Sequence, residues 1–148
     1  MTQKDFEDLF ACLTRHGVRA LIVGAHAVAF YAKPRYTKDI DILVEPSPEN
    51  AARLVAALDE FGFGQIGVTE GDFAQAGRVV QLGYPPNRVD LITSISGVSF
   101  EDAWNGRVSG AYGSQKVEYI GRTELILNKK AAGRPRDLAD LAILAENE

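Results

Sequence analysis

The sequence has little of several residue types, and each shortage excludes a class of site or protein. One cysteine, Cys12, leaves no partner for an internal disulfide and fits a reducing compartment. Two histidines and one cysteine are too few for a zinc cluster. The apolar runs are far too short to span a membrane, and no signal-peptide pattern opens the chain. We therefore expect a cytoplasmic protein with no membrane association.

Positive charge is also in short supply. The formal net charge of −4 argues against binding of long nucleic acid through bulk charge. Hydrophobic residues make up 46% of the chain and charged residues 24%, which is typical of a soluble globular protein. The 148 residues suffice for one proper core but not for two ordinary domains. We expect a single domain over residues 1–148.

Hydrophobic periodicity and turn residues predict an α/β protein with a small mixed sheet flanked by helices. The pattern predicts helices over 4–16, 25–31 and 99–104. A third helix in chain order is predicted from a Ser47 cap and Pro48 to about Phe61. Two closing helices are predicted, one after a Thr123 cap and one after Pro135. Strands are predicted over 18–23, 39–44, 79–83, 87–92, 107–112 and 116–120, the last four in two antiparallel pairs. Glycines punctuate the helix ends, notably Gly17, Gly62 and Gly64.

Three acids stand out on the predicted strands. Asp39 and Asp41 are two residues apart, so their carboxylates leave the same face of one strand. Asp90 lies in the run Arg-Val-Asp-Leu-Ile, where an acid is out of place among apolar neighbours. Three carboxylates on one sheet repel each other unless a hard cation joins them. The pattern therefore indicates a site for Mg²⁺ or Mn²⁺ and, through its phosphates, for a nucleotide.

The segment before the acid pair supports a phosphate site. The strand that ends at Val23 is followed by Gly24, Ala25 and His26, where a short helix begins. A helix start of this kind points free backbone N–H groups at an anion. Arg35 and Thr37 lie just upstream of Asp39, within reach of the same region. Each position also has a plain structural alternative: Gly24 could simply form a tight turn, Arg35 and Thr37 could be ordinary loop residues, and His26 could be a surface histidine.

The closing segment carries charges at helical spacing. Lys129 follows the apolar face set by Leu125 and Ile126, so its ammonium could extend toward the site, or simply be solvated. Asp137 and Asp140 are three residues apart on one face of the last helix. They could pair with a Lys or Arg of the preceding helix and lock the two helices together.

The chain has, in order, a strand, a glycine turn, a short helix, a strand with Asp-x-Asp and a third acid on a later strand. This order resembles the nucleotidyltransferase fold of the DNA polymerase β superfamily. The ending, with Lys129 on one helix and Arg136-Asp137-x-x-Asp140 on the next, is similar to small nucleotidyltransferases akin to abortive-infection type E toxins. The resemblance runs from about Arg19 to Leu144. The chain departs from it at Gly24-Ala25, where many active members carry Gly-Ser or Gly-Gly.

The resemblance implies transfer of a nucleoside monophosphate from an NTP to an acceptor hydroxyl. Asp39 and Asp41 would bind Mg²⁺ and the triphosphate, and Asp90 would hold a second metal ion and help deprotonate the acceptor. The Gly24 turn would hold the β and γ phosphates, while Arg35 and Lys129 would neutralise the leaving pyrophosphate. The acceptor, whether RNA, protein or a small molecule, stays open.

A non-catalytic member of the same fold, acting as a nucleotide sensor or in a toxin–antitoxin pair, is the alternative reading. The small size of the chain implies that a homodimer or a cognate partner completes the cleft. We nominate residues 67–76 and 104–112 for that contact, because they carry Phe73, Trp104 and Tyr112 in loop-like surroundings.

Overall fold

The computed structural model describes residues 2–34, 39–64, 67–84 and 87–147. In those residues the chain forms a mixed sheet with helices on both sides. The strands are β1 (Ala20–Val23), β2 (Asp39–Val44), β3 (Val79–Tyr84), β4 (Asn87–Ile92), β5 (Val108–Tyr112) and β6 (Gln115–Tyr119). The α-helices are α1 (Gln3–Arg15), α2 (Gly24–Tyr31), α3 (Pro48–Leu58), α4 (Phe100–Asn105), α5 (Arg122–Ala132) and α6 (Pro135–Glu146).

The six strands lie in the order β3-β4-β2-β1-β6-β5. Strands β3 and β4 form one antiparallel hairpin and β5 and β6 another, as the sequence predicts. At the centre, β1 pairs antiparallel with β2. Each central strand pairs in parallel with one strand of a hairpin: β2 pairs with β4, and β1 pairs with β6. The predicted small mixed sheet flanked by helices is confirmed.

The core fills both sides of the central strands. Ile40, Ile42 and Val44 are fully buried, as the period-two pattern requires for the face opposite the acids. Ile22 and Ile42 line a cavity of about 420 Å³ together with Leu13 of α1, so α1 lies over that face. Helices α2, α5 and α6 contact one another on the other side. That second layer is the one that the acids of β2 face.

Helix starts follow local chemistry at some positions and packing at others. The Ser47 hydroxyl accepts from the Asn50 N–H and Pro48 is the first residue of α3, as predicted. The Thr123 cap is wrong: α5 begins at Arg122, with Gly121 as its N-cap. A Cβ on Gly121 would overlap the Gly106 carbonyl and the Glu124 carboxylate, so close packing sets this helix start.

Other boundaries differ by a few residues. The first strand begins at Ala20 and not at residue 18. Helix α3 ends at Leu58, and the chain continues as a wider turn over Asp59–Phe63, in which Gly62 has a φ of 113°. Across the residues that the structure describes, no helix has the length and apolarity needed to cross a lipid bilayer.

Candidate active site

The structure brings the three predicted acids together on two neighbouring strands. Strands β2 and β4 run parallel, and their register places Asp41 directly beside Asp90 and Asp39 beside Arg88. Residues two apart on a strand share a face, so Asp39, Asp41, Arg88 and Asp90 all leave the same side of the sheet. The three predicted acids therefore share one face of two neighbouring strands, and their role as a metal site stays a prediction.

Asp41 has the most perturbed environment of the three. Burial, followed by the neighbouring charges of Asp90 and Asp39, raises its pKa to about 6. Arg136 and Lys129 oppose this rise from the other side of the site. The pKa of Asp41 is thus affected both by the carboxylates of the sheet and by the cations of the closing helices.

Gly24 fits the structure only because it has no side chain. Its φ is 68°, which is in the left-handed region, and a Cβ there would overlap a carboxylate oxygen of Asp41. Helix α2 begins at this residue, and its N-cap, Val23, makes no side-chain hydrogen bond to the first turn. The start of α2 therefore lies against the acid, at the end of the helix whose dipole favours an anion.

A cleft of about 830 Å³ opens beside Asp41, between the start of α2 and the closing helices. Gly24 and Ala25 line it on one side, and Lys129, Arg134 and Arg136 line it on the other. The wall between them mixes polar and apolar groups: Ser94, Ser96, Asn128, Ile92, Ile95 and Ile143. Negative and positive groups thus face each other across a space large enough for a small-molecule ligand.

Lys129 lines this cleft, but its ammonium is engaged by the neighbouring helix. The Lys129 Nζ lies 3.2 Å from Asp137 Oδ1 and 3.1 Å from Asp140 Oδ2, and its side chain is 7% exposed. The Arg134 Nε donates to Asp137 Oδ2 at 2.7 Å. These cations hold the pKa of Asp137 well below its usual range, Arg134 more than Lys129. The predicted pairing of Asp137 and Asp140 with the preceding helix is confirmed.

Arg88 contacts two of the acids, a role that was not predicted from the sequence. Its Nε donates to Asp90 Oδ1 at 3.0 Å, and its Nη2 lies 3.5 Å from Asp90 Oδ2. The same Nη2 lies 3.4 Å from Asp39 Oδ2 across the strand pair. The signal was present in the sequence, because Arg88 and Asp90 are two residues apart on a strand and must share its face.

The donor chemistry of the acids suits a hard divalent cation, since three carboxylates are the ligands that Mg²⁺ and Mn²⁺ prefer. Within the described ranges, however, no three His, Cys, Asp or Glu side chains converge closely enough to hold a metal ion. Two of these acids, Asp39 and Asp90, instead contact the guanidinium of Arg88. The residue types fit the metal, and their present positions fit the arginine.

The remaining predicted residues are placed as follows. Ala25 lines the cleft with Gly24. The His26 ring lies 6.0 Å from the Tyr112 ring, between centroids, and His26 is absent from the described lining of the cleft. Arg35 and Thr37 lie outside the described residues. Arg134 and Arg136 also line the cleft, and neither was assigned a role in the site from the sequence.

Comparison with solved structures identifies the fold. The crystal structure of the lincosamide antibiotic adenylyltransferase LnuA bound to lincomycin is similar, with a TM-score of 0.58 and 13% identity over 100% of this chain and 99% of that one. An antigenic nucleotidyltransferase-like protein from Paracoccidioides brasiliensis has a TM-score of 0.57 and 17% identity, over 97% of this chain and 73% of that one. No family model and no curated protein match the sequence. The chain has the nucleotidyltransferase fold, which confirms the predicted architecture.

Proposed function

We propose that this chain is a metal-dependent nucleotidyltransferase that moves a nucleoside monophosphate from an NTP to an acceptor hydroxyl, with pyrophosphate as the leaving group. One observation carries the proposal. Asp41 and Asp90 are neighbours in register on parallel strands, and Asp41 faces a cleft that has a helix start on one side and arginines on the other. The likeness to an adenylyltransferase structure supports the same reading.

The triphosphate would lie between the start of α2 and the closing helices. The N–H groups that follow Gly24 would donate to its phosphate oxygens, and the positive end of the helix would favour their charge. Arg136 lines the cleft and its charge reaches Asp41, so it is well placed to neutralise the leaving pyrophosphate. Lys129 adds positive charge to this wall while Asp137 and Asp140 fix its position.

The acids would act at the reacting phosphate. Asp39 and Asp41 would hold Mg²⁺ or Mn²⁺, and Asp90 would complete the set on the acceptor side. A bound divalent cation would neutralise charge that builds up on the transferred phosphate. Asp90 would accept the proton of the attacking hydroxyl, because it lies next to Asp41 on the strand that is farther from the helix start.

The lining of the cleft favours a small-molecule acceptor over RNA or protein. Ser94, Ser96 and Asn128 offer hydrogen-bonding groups beside isoleucine side chains, and the volume is in the range of small-molecule sites. The similar adenylyltransferase was crystallised with lincomycin, an antibiotic. We therefore place hydroxyl-bearing small molecules first among the acceptor classes.

A non-catalytic, nucleotide-binding protein on the same fold is the second candidate. The contacts of Arg88 with Asp39 and Asp90 favour it, because two carboxylates needed for transfer are engaged by an arginine. The absence of a serine hydroxyl at Ala25 favours it too. In that case the cleft would bind an NTP without transferring any part of it.

Label transfer distinguishes the two. The protein would be incubated with each α-labelled NTP, Mg²⁺ or Mn²⁺, and separate pools of RNA, protein and hydroxyl-bearing small molecules. We expect label on an acceptor, its loss in Asp41→Asn, and a fall of about 10²- to 10⁴-fold in Asp90→Asn. Asp8→Asn is the control, since Asp8 is exposed and forms a surface ion pair with Lys4.

Thermal shift with the same nucleotides completes the test. A ligand that binds the folded state raises its stability. Nucleotide-dependent stabilisation without transfer to any pool would favour the second candidate. If no nucleotide stabilises the protein and no label is transferred, both candidates are refuted.

A further inference from the structure

Arg88 lies within the acid cluster and not at its edge. It contacts Asp90 through two nitrogens, at 3.0 and 3.5 Å, and Asp39 through one, at 3.4 Å. Its side chain is 26% exposed, against 38% for Asp39 and 15% for Asp90. A guanidinium is planar and carries several donors in a fixed geometry, so one group can bind both carboxylates. Arg88 thus occupies the space between two residues from different strands.

The register of the sheet makes this contact hard to avoid. Arg88 pairs with Asp39 across β2 and β4, and it is two residues from Asp90 on its own strand. With Asp41 beside Asp90, three carboxylates and one guanidinium share a single face, and the guanidinium contacts two of the three, those of Asp39 and Asp90. Like charges this close destabilise a site unless a cation offsets them. Arg88 is the cation that the chain itself places there.

We infer that Arg88 and a divalent cation compete for the carboxylates of Asp39 and Asp90. Arg88 is then a positioning residue: it holds the two acids while no metal ion is bound, and it must give up those contacts when the ion binds. The inference rests on the proposed function only for the nature of the ion. It explains why three carboxylates of suitable chemistry are not arranged as a metal cluster in the described residues.

The competition has a direct consequence for affinity. A metal ion that binds to Asp39 and Asp90 must break charge-assisted hydrogen bonds before it gains its own ligands. Removal of the guanidinium should therefore strengthen metal binding, although it removes part of the present structure of the site. Removal of a residue that merely stabilised the fold would not strengthen metal binding.

Titration with Mn²⁺ in the absence of nucleotide tests this, with free Mn²⁺ followed by electron paramagnetic resonance. We expect Arg88→Gln to bind Mn²⁺ about tenfold more tightly than the wild type, the change for loss of one charged hydrogen bond. Arg88→Lys should fall between them, because an ammonium keeps the charge but cannot bind both carboxylates in the same fixed geometry. Arg53→Gln is the control for net charge, since Arg53 is exposed on α3.

Stability gives a second measurement. With a chelator, Arg88→Gln should melt at a lower temperature than the wild type, and Mn²⁺ should raise its melting temperature by more than it raises that of the wild type. If Arg88→Gln does not fold, Arg88→Lys carries the same comparison. Equal or weaker Mn²⁺ binding by the Arg88 variants, or none in any variant, would overturn the inference.

The result of the Mn²⁺ titration can be distinguished from the result of the label-transfer experiment. Tighter Mn²⁺ binding by Arg88→Gln without any label transfer supports the competition and removes the proposed reaction. Transfer by the wild type with weaker Mn²⁺ binding in the variant retains the reaction and removes the competition.

Discussion

At the scale of single residues, Asp41 combines burial with two acidic neighbours. Its raised pKa, about 6, means that the folded protein holds a proton there more strongly than the unfolded chain does. Protonation of Asp41 therefore stabilises the folded protein. This contribution is fully present at pH values below about 4, the usual pKa of an aspartate, and is lost as the pH rises through about 6. At neutral pH the charged Asp41 therefore destabilises the metal-free fold.

Asp41→Asn should accordingly raise the free energy of unfolding of the metal-free protein at pH 7, by an amount on the order of 2 kcal/mol. The gain should shrink as the pH falls from about 6 to about 4, because the wild-type carboxyl then becomes neutral. Urea unfolding with a chelator across that range measures it. Asp39→Asn is the matched control, and we expect no gain from it, since Asp39 contacts Arg88. A pH-independent gain would contradict the argument.

Arg136 is the cation that we assign to the leaving pyrophosphate. It is exposed on α6, lines the cleft and lowers the pKa of Asp41 through its charge. Arg136→Gln should weaken NTP binding about tenfold, the effect of one charged hydrogen bond. Calorimetric titration with a non-hydrolysable NTP measures it, with Lys130→Gln, an exposed charge on α5, as the control. Equal affinities in the two variants would remove Arg136 from the site.

At the scale of elements, helices α5 and α6 are joined by a buried charge network. Lys129 and Arg134 both bind Asp137, whose side chain is fully buried. Removing one member of a buried ion pair leaves the other charge without compensation, which is more costly than losing a surface pair. The network thus holds the wall of the cleft that carries Arg134 and Arg136.

Asp137→Asn should lower the free energy of unfolding by about 2–4 kcal/mol at neutral pH. Because binding to Arg134 and Lys129 lowers the pKa of Asp137, its contribution is present above about pH 4 and is lost as the pH falls through the lowered pKa. Denaturant unfolding of both proteins measures this. Asp8→Asn, which removes an exposed pair, should cost less than about 0.5 kcal/mol. Similar losses in the two variants would mean that the buried network adds little.

The elements also show what the sequence could and could not predict. Strand β2 has the predicted bounds because acidic and apolar residues alternate from Asp39 to Ile42 and an apolar pair completes it, and α3 starts as predicted because Ser47 and Pro48 act locally. The start of α5 was missed because it depends on contact between Gly121 and the distant Gly106. Such a contact leaves no mark on local sequence.

The candidate site shows the same division. The shared face of Asp39 and Asp41 follows from strand period alone. The parallel register that sets Asp41 beside Asp90 joins distant segments, so the sequence could suggest the meeting but not its geometry. The contacts of Arg88 follow from that register. The pairing of Asp140 with the preceding helix was predicted, but Lys129 was not named as its partner.

At the scale of the whole molecule, the predicted surface for a second copy needs revision. Phe73 is fully buried, so its nomination as a contact residue is wrong. Trp104 stacks with Phe100 and lies beneath the Arg107 guanidinium, and Tyr112 packs against Phe10. These rings serve internal contacts.

The homodimer itself stays a prediction, and the edge strand β3 is the better surface for it. Val79 and Tyr84 are 59% and 86% exposed there, next to the strand that carries Asp90. Light scattering at micromolar concentration should give about twice the chain mass. Val79→Lys should yield a monomer, because a charge blocks pairing of strand edges. Leu138→Lys, at an exposed position on α6, should not. A wild-type monomer would shift the proposal to a cognate partner.

The parallel pairing of β2 with β4 has a further consequence for how the protein is made. Arg88 and Asp39 are 49 positions apart, and no local hairpin can bring them together. Such distant contacts form slowly, because a long loop must close before they contribute any stability. A growing chain therefore carries Asp39 and Asp41 for some time before β4 exists to pair with them. The cleft also needs α6, so nascent chains that end before Pro135 lack one of its walls, and on the proposed function they would not yet bind a nucleotide.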